Sequence, residues 1–97
     1  MIARDRARQY AADAAGLRCA WRVDNGERVI EDASILKWFA TQVFWEIADS
    51  AVQVHGSSGL AEENLFMDHL HTARVLRIVE GTDEIQLNTI AKQMGVR

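Results

Sequence analysis

Hydrophobic positions recur at helical intervals along the whole chain. Between residues 2 and 23, Ala3, Ala7, Tyr10, Ala11, Ala14, Leu17 and Trp21 return every three or four residues, the repeat of one face of an α-helix. Asp24-Asn25-Gly26 follows and ends this first helix with residues that tolerate a left-handed turn. A second helix is predicted over about residues 31 to 55. Leu36, Ala40, Val43, Ile47, Ala51 and Val54 form one stripe on it, and Trp38, Trp45 and Val52 form another. Two apolar stripes require two packing partners, so this helix belongs at the centre of a bundle or against another subunit. Its tryptophans read as packing residues. Gly56-Ser57-Ser58-Gly59 breaks the pattern. A short helix is expected over residues 63 to 73. The last runs from Thr82 to Met94, burying Leu87, Ile90, Ala91 and Met94 and stopping at Gly95.

The predicted fold is therefore all-α: a helical bundle fragment with two long helices, a short helix and a C-terminal helix, spanning residues 1–97 as one partial domain. The absence of proline fits uninterrupted helices. Length changes the functional picture, because 97 residues form one small core and cannot enclose both a large cofactor and a substrate. With 48% hydrophobic and 26% charged residues, the chain reads as globular. A net charge of −3 with dispersed Lys and Arg gives no footprint for nucleic acid. Cys19 stands alone, without disulfide or redox spacing, and reads as a small buried residue. Charges interrupt every apolar run before it reaches membrane-spanning length, so no membrane segment is expected and a cytoplasmic setting is the default.

The candidate chemistry lies in Val79-Glu80-Gly81-Thr82-Asp83-Glu84-Ile85. Glu80 follows Leu76, Ile78 and Val79, and a carboxylate desolvated by apolar neighbours becomes a proton acceptor near neutral pH. Gly81 lacks a Cβ and leaves the backbone beside it open to a ligand. Thr82 reads as an N-cap, with Asp83 and Glu84 placed where negative charge suits the helix dipole. On its own, the run also reads as a plain helix start. His69 and His71 would project about 200° apart on a helix, so no metal site is expected. His55 has no accompanying Ser or Cys elbow, which disfavours hydrolase chemistry. The stretch Gln53, Val54, His55, Gly56, Ser57, Ser58 and Gly59 closes the long helix with a loop of small residues whose backbone N–H groups can approach a phosphate. No Lys-Ser/Thr pair follows, so it is not a Walker loop.

Taken in order, a Gln near the end of a long helix, a Gly-rich break, an Ala-Arg step and Ile78-Val-Glu-Gly-Thr-Asp-Glu-Ile85 opening a last helix resemble the C-terminal region of the acyl-CoA dehydrogenase family. Ala51-Val-Gln-Val and Asp24-Asn-Gly26 agree with that family's glycine-loop lead-in and helix junction. The resemblance implies an FAD-dependent oxidation of acyl-CoA to 2-enoyl-CoA, with Glu80 as catalytic base and Gly81 at the substrate. It implies that Thr82, Asp83 and Glu84 touch FAD, and that Gln53, Val54, His55, Gly56 and Ser57 reach the FAD of a neighbouring subunit. Implied partners are the acyl-CoA substrate, a homo-oligomer or further domains of a larger subunit, and an electron-transfer flavoprotein. Ser57 departs from the usual Gly-Gly pair, and His71-Thr72-Ala73-Arg74 departs from the usual Arg-Asp-Ala-Arg/Lys step. The family's β-domain and Arg-x-x-Phe-Gly flavin segment have no counterpart here. The alternative is a truncated, non-catalytic helical module that associates through its apolar stripes. A related flavin oxidase would carry the same residues.

Overall fold

Helix α1 (Ile2–Asp24) closes with the turn its sequence announces. Gly26 takes φ +75°, its N–H reaches Val23 O at 2.9 Å, and Glu27 N–H reaches Arg22 O at 3.0 Å, the paired bonds of a Schellman stop. Helix α2 (Ile30–His55) runs back along α1, α3 spans Phe66–Leu76 and α4 spans Asp83–Gln93. Single 3₁₀ turns at Gly56–Leu60 and Glu62–Asn64 join α2 to α3. Residues 1–96 are described in this computed structural model, and among them there is no strand.

Every helix packs on α2, while α1 touches neither α3 nor α4. This central position is what the two stripes of α2 demand. The molecule is correspondingly drawn out, at 46 × 24 × 20 Å, with a radius of gyration of 15.6 Å. A compact chain of this length has about 13 Å. Val43 and Ala48 of α2, Cys19 of α1 and Ala73 of α3 are buried, yet no large side chain among the described residues is fully enclosed.

Helix α1 does not meet α2 through its apolar stripe. Asp5, Arg8, Ala12, Ala15, Gly16, Cys19 and Arg22 are buried or half-buried, whereas Ala3, Ala7, Tyr10, Ala11, Ala14, Leu17 and Trp21 are exposed. Leu17 is 73% and Trp21 60% accessible. Small residues line this seam: a Cβ built on Gly16 would make an ordinary contact, 3.8 Å, with Leu36 Cδ1. Ion pairs fasten the same seam. Arg22 donates to both oxygens of Asp32 at 2.7 and 2.9 Å, and Arg8 pairs with Glu46. The Asp32 carboxylate, bonded to the Arg22 guanidinium and close to it, raises the pKa of that group further. Periodicity identified an apolar face correctly but could not say which face has a neighbour.

Two further boundaries differ from expectation. The short helix begins at Phe66, after Leu65 adopts φ +62° and separates it from the Glu62–Asn64 turn, and it continues to Leu76. On α4, Leu87 and Met94 are exposed, and Ile90 and Ala91 alone of the expected set are partly covered. The Gly95 stop is observed, with φ +82° and Val96 N–H on Ala91 O at 2.9 Å. Among the described residues no helix is long and apolar enough to cross a membrane.

The first 3₁₀ turn is anchored by Gly59, which is buried. A Cβ there would stand 3.0 Å from Val52 Cα and closer still to the Val52 carbonyl oxygen. Because the obstacle is backbone, Gly59→Ala is expected to lower the unfolding free energy by about 1–3 kcal/mol. Urea unfolding followed by far-UV circular dichroism measures it, and an unchanged midpoint would contradict the close approach.

Candidate functional site

The turn between α3 and α4 carries the candidate base. Its backbone is unusual: Glu80 takes φ +56° and Gly81 φ +95°. Two consecutive left-handed residues are easy for glycine and costly for glutamate, so the Glu80 conformation has to be held by its surroundings. Three sets of bonds hold it. Lys37 Nζ, reaching across from α2, donates to Gly81 O at 2.6 Å. Gln86 Nε2, one turn into α4, lies 3.3 Å from Glu80 O and 3.5 Å from Gly81 O. Asp83 N–H donates to Arg77 O at 3.1 Å, closing the turn at its base. A Cβ on Gly81 would collide with the Gln86 amide.

Thr82 is the expected N-cap, its Oγ1 accepting from Ile85 N–H at 3.2 Å. Asp83 is turned inward and only 8% exposed. Its Oδ2 accepts from Arg77 Nε at 2.8 Å and from Gln42 Nε2 at 3.0 Å, tying α4 to the end of α3 and to α2. Its Oδ1 is buried without a donor among the described residues. Glu84 is exposed. Glu80 is exposed too, and its carboxylate makes no hydrogen bond among the described residues. Ile78 and Val79 are themselves 54% and 41% exposed. The desolvation expected around Glu80 is therefore not provided by these neighbours.

The second predicted segment lies elsewhere. Gln53, Val54, His55, Gly56 and Ser57 are all exposed at the C-terminal end of α2. His55 Nδ1 donates to Ala51 O at 2.7 Å, and its ring stacks on Phe66 with centroids 4.1 Å apart. Gly56 takes φ +60°, ψ −141°, a region glycine alone enters readily, and nothing stands within 4 Å of the place its Cβ would fill. Ser58 Oγ donates to His55 O and Asn64 Nδ2 to Ser58 O, each at 2.7 Å, which fixes the loop. From Gln42 to His55 the axis of α2 rises about 20 Å at 1.5 Å per residue. The structure therefore brings Glu80, Gly81, Thr82, Asp83 and Glu84 together and keeps residues 53–57 apart from them.

Lys37, Gln42 and Arg77 were not among the residues singled out in the sequence. A signal was present for two of them. Lys37 and Gln42 are polar residues set among the apolar positions of a helix covered on several sides, where such groups need a partner. Among the described residues no group of three His, Cys, Asp or Glu side chains is placed to hold a metal.

An all-α arrangement around one central helix, with the last helix entered through a held Glu-Gly turn, defines a helical-bundle domain that presents a carboxylate at a helix start. Comparison with known proteins supplies its family. Residues 1–95 match the family described as acyl-CoA dehydrogenase, C-terminal domain, and the chain belongs to the acyl-CoA dehydrogenase family. It is 40% identical over 75 residues to the (2S)-methylsuccinyl-CoA dehydrogenase of Cereibacter sphaeroides, a match covering 77% of this chain and 14% of that relative. Among solved structures it superposes with a TM-score of 0.93 on one reported for the electron transferring flavoprotein of Acidaminococcus fermentans. That match has 24% identity and covers 97% of this chain and 25% of the other, a likeness of fold.

Proposed function

We propose that this chain carries the base-bearing wall of an FAD-dependent acyl-CoA dehydrogenase, with Glu80 as the group that removes the α-proton of an acyl-CoA thioester. One observation carries the reading: Glu80 is an accessible carboxylate, unpartnered among the described residues, held in a left-handed backbone by bonds from α2 and α4. A non-glycine residue kept there by its surroundings marks a candidate functional position.

The α-proton of a thioester is weakly acidic, so abstraction needs a carboxylate fixed in line with the Cα–H bond. Glu80 takes that proton while the hydrogen on Cβ departs with its electron pair, and the Cα–Cβ single bond becomes double. Bound FAD supplies the hydride acceptor. Gly81, without a side chain, leaves room for the acyl group beside the base. Thr82 and Glu84 edge the entrance to α4, while Asp83 serves the segment from within by fixing α4 to Arg77 and Gln42.

The exposed loop of residues 53–57 fits a dinucleotide phosphate, since Gly56 leaves its backbone approachable and Ser57 adds a hydroxyl donor. Its distance from Glu80 supports the reading in which it serves the FAD of a neighbouring subunit. An electron-transfer flavoprotein is the implied electron acceptor. The test is anaerobic mixing of the flavin-bound protein with acyl-CoA thioesters. Loss of the oxidised-flavin absorbance is expected, and a persistently yellow enzyme across short, long and branched thioesters would overturn the proposal.

The exposed stripe of α1 supports a second reading for the chain by itself, a module that self-associates through Tyr10, Leu17 and Trp21. Size-exclusion chromatography with light scattering is expected to give an oligomer for the isolated polypeptide, and a lower mass for Leu17→Glu. A monomer at high concentration would rule this reading out.

A further inference from the structure

Lys37 is a half-buried ammonium group with no carboxylate within ion-pairing distance among the described residues. Among the described residues its one hydrogen bond runs to the carbonyl oxygen of Gly81, 44 positions along the chain. A lysine flanked by Leu36, Trp38 and Phe39 would ordinarily extend its stem until the charge reached water. This one instead spends its charge on a backbone oxygen. A charged donor on a carbonyl is roughly twice as strong as a neutral one, so the bond can select one orientation of the Gly81–Thr82 peptide.

That peptide lies one link beyond the Glu80–Gly81 peptide, in the turn that carries Glu80. If the Gly81 carbonyl rotated away from α2, the pair of left-handed residues would relax, and glutamate has every steric reason to leave φ +56°. The Gln86 amide cannot hold the turn alone, because its contacts of 3.3 and 3.5 Å are long and it is divided between two carbonyls. The Asp83 bonds fix the start of α4 but lie beyond the strained pair. Among the described residues, Lys37 alone hydrogen-bonds the Glu80–Gly81 pair from the central helix.

We infer that Lys37 is a positioning residue for Glu80: its ammonium group, by holding the Gly81 carbonyl, keeps the left-handed Glu80–Gly81 turn and so aims the carboxylate. The catalytic part of this inference rests on the reading of Glu80 as base. The turn itself does not depend on that reading.

The test uses flavin-bound holoenzyme with Lys37→Met, which keeps the stem and removes the donor, and Lys37→Arg, which keeps a charged donor. Lys37→Met is expected to slow flavin bleaching at saturating acyl-CoA on the order of ten- to a hundredfold, the scale of a small misalignment of a reacting group. The acyl-CoA concentration for half-saturation should stay unchanged, and Lys37→Arg should recover most of the rate. Independently, a glutamate-specific protease should release the fragment ending at Glu80 about tenfold faster from Lys37→Met than from wild type, with Lys37→Arg close to wild type. A Lys37→Met enzyme that bleaches at the wild-type rate overturns the inference, and so does a rate loss that Lys37→Arg fails to recover. If Lys37→Met does not fold, Lys37→Gln takes its place with the same criteria. Normal bleaching by Glu80→Gln would instead remove the base assignment. Cleavage at Glu80 then decides the turn by itself, and an unchanged cleavage rate overturns that as well.

Discussion

Glu80→Gln is expected to reduce the rate of flavin bleaching by acyl-CoA on the order of a hundred- to ten-thousandfold, the range that a positioned general base contributes. Glutamine keeps the length and shape of the side chain, and the bonds that hold the turn reach backbone oxygens of Glu80 and Gly81 and so survive the substitution. The flavin spectrum and the unfolding midpoint are therefore expected to remain those of wild type. This pattern separates loss of a proton acceptor from loss of structure. Glu80→Asp, which retains the carboxylate on a shorter stem, should fall between the two. A Glu80→Gln enzyme that bleaches within a few-fold of wild type would leave the α-proton without the proposed acceptor.

The second large effect is expected at Asp83. Its carboxylate is nearly enclosed, accepts from Arg77 and Gln42, and joins three helices at one point. Removing one member of a buried ion pair leaves the other desolvated and unmatched, at a cost of about 3–5 kcal/mol where burial is complete. Arg77 retains part of its exposure, 24% for the side chain, so solvent can recover some of that loss. Asp83→Ala is accordingly expected to cost about 2 kcal/mol in denaturant unfolding, and Asp83→Asn less, because the amide oxygen still accepts. A cycle with Arg77→Ala isolates the pair, since two side chains in contact should give less than additive losses. Additive losses, or an Asp83→Ala protein as stable as wild type, would mean that this junction does not hold α4 in place.

The C-terminal ends of α1 and α4 and the start of α4 were legible in the sequence because each has a local chemical cause, whereas both ends of α3 were not. Gly26 and Gly95 take the left-handed conformation their positions suggested, and the Thr82 hydroxyl caps α4 as its spacing predicted. The two stripes of α2 also predicted its central place correctly. What escaped has causes that lie far apart in the chain. The bond from Lys37 to Gly81 spans 44 residues and that from Gln42 to Asp83 spans 41, so no window along the sequence contains both partners. The outward face of α1 escaped for a different reason. Tyr10, Leu17 and Trp21 look like core residues because they are large and apolar, but α2 took the small-residue face around Gly16 instead. Leu65 and Glu80 are residue types that seldom take positive φ, and nothing nearby announces that they will.

The candidate site divides in the same manner. The Glu80 run and the Gly56 loop were recognisable from motif order, because each depends on consecutive residues. The ties that position Glu80 come from another helix.

Because α1, α3 and α4 each lean on α2 and α1 meets neither of the others, α1 is braced by the central spine alone. A shift of α1 can be absorbed at its own seam without displacing Glu80 or the Gly56 loop. A bend in α2 has no such relief: Lys37 and Gln42 ride on one part of the rod and His55 on its end, so the two segments must move as a coupled pair. The spacing of the two segments is set by the straightness of a single helix.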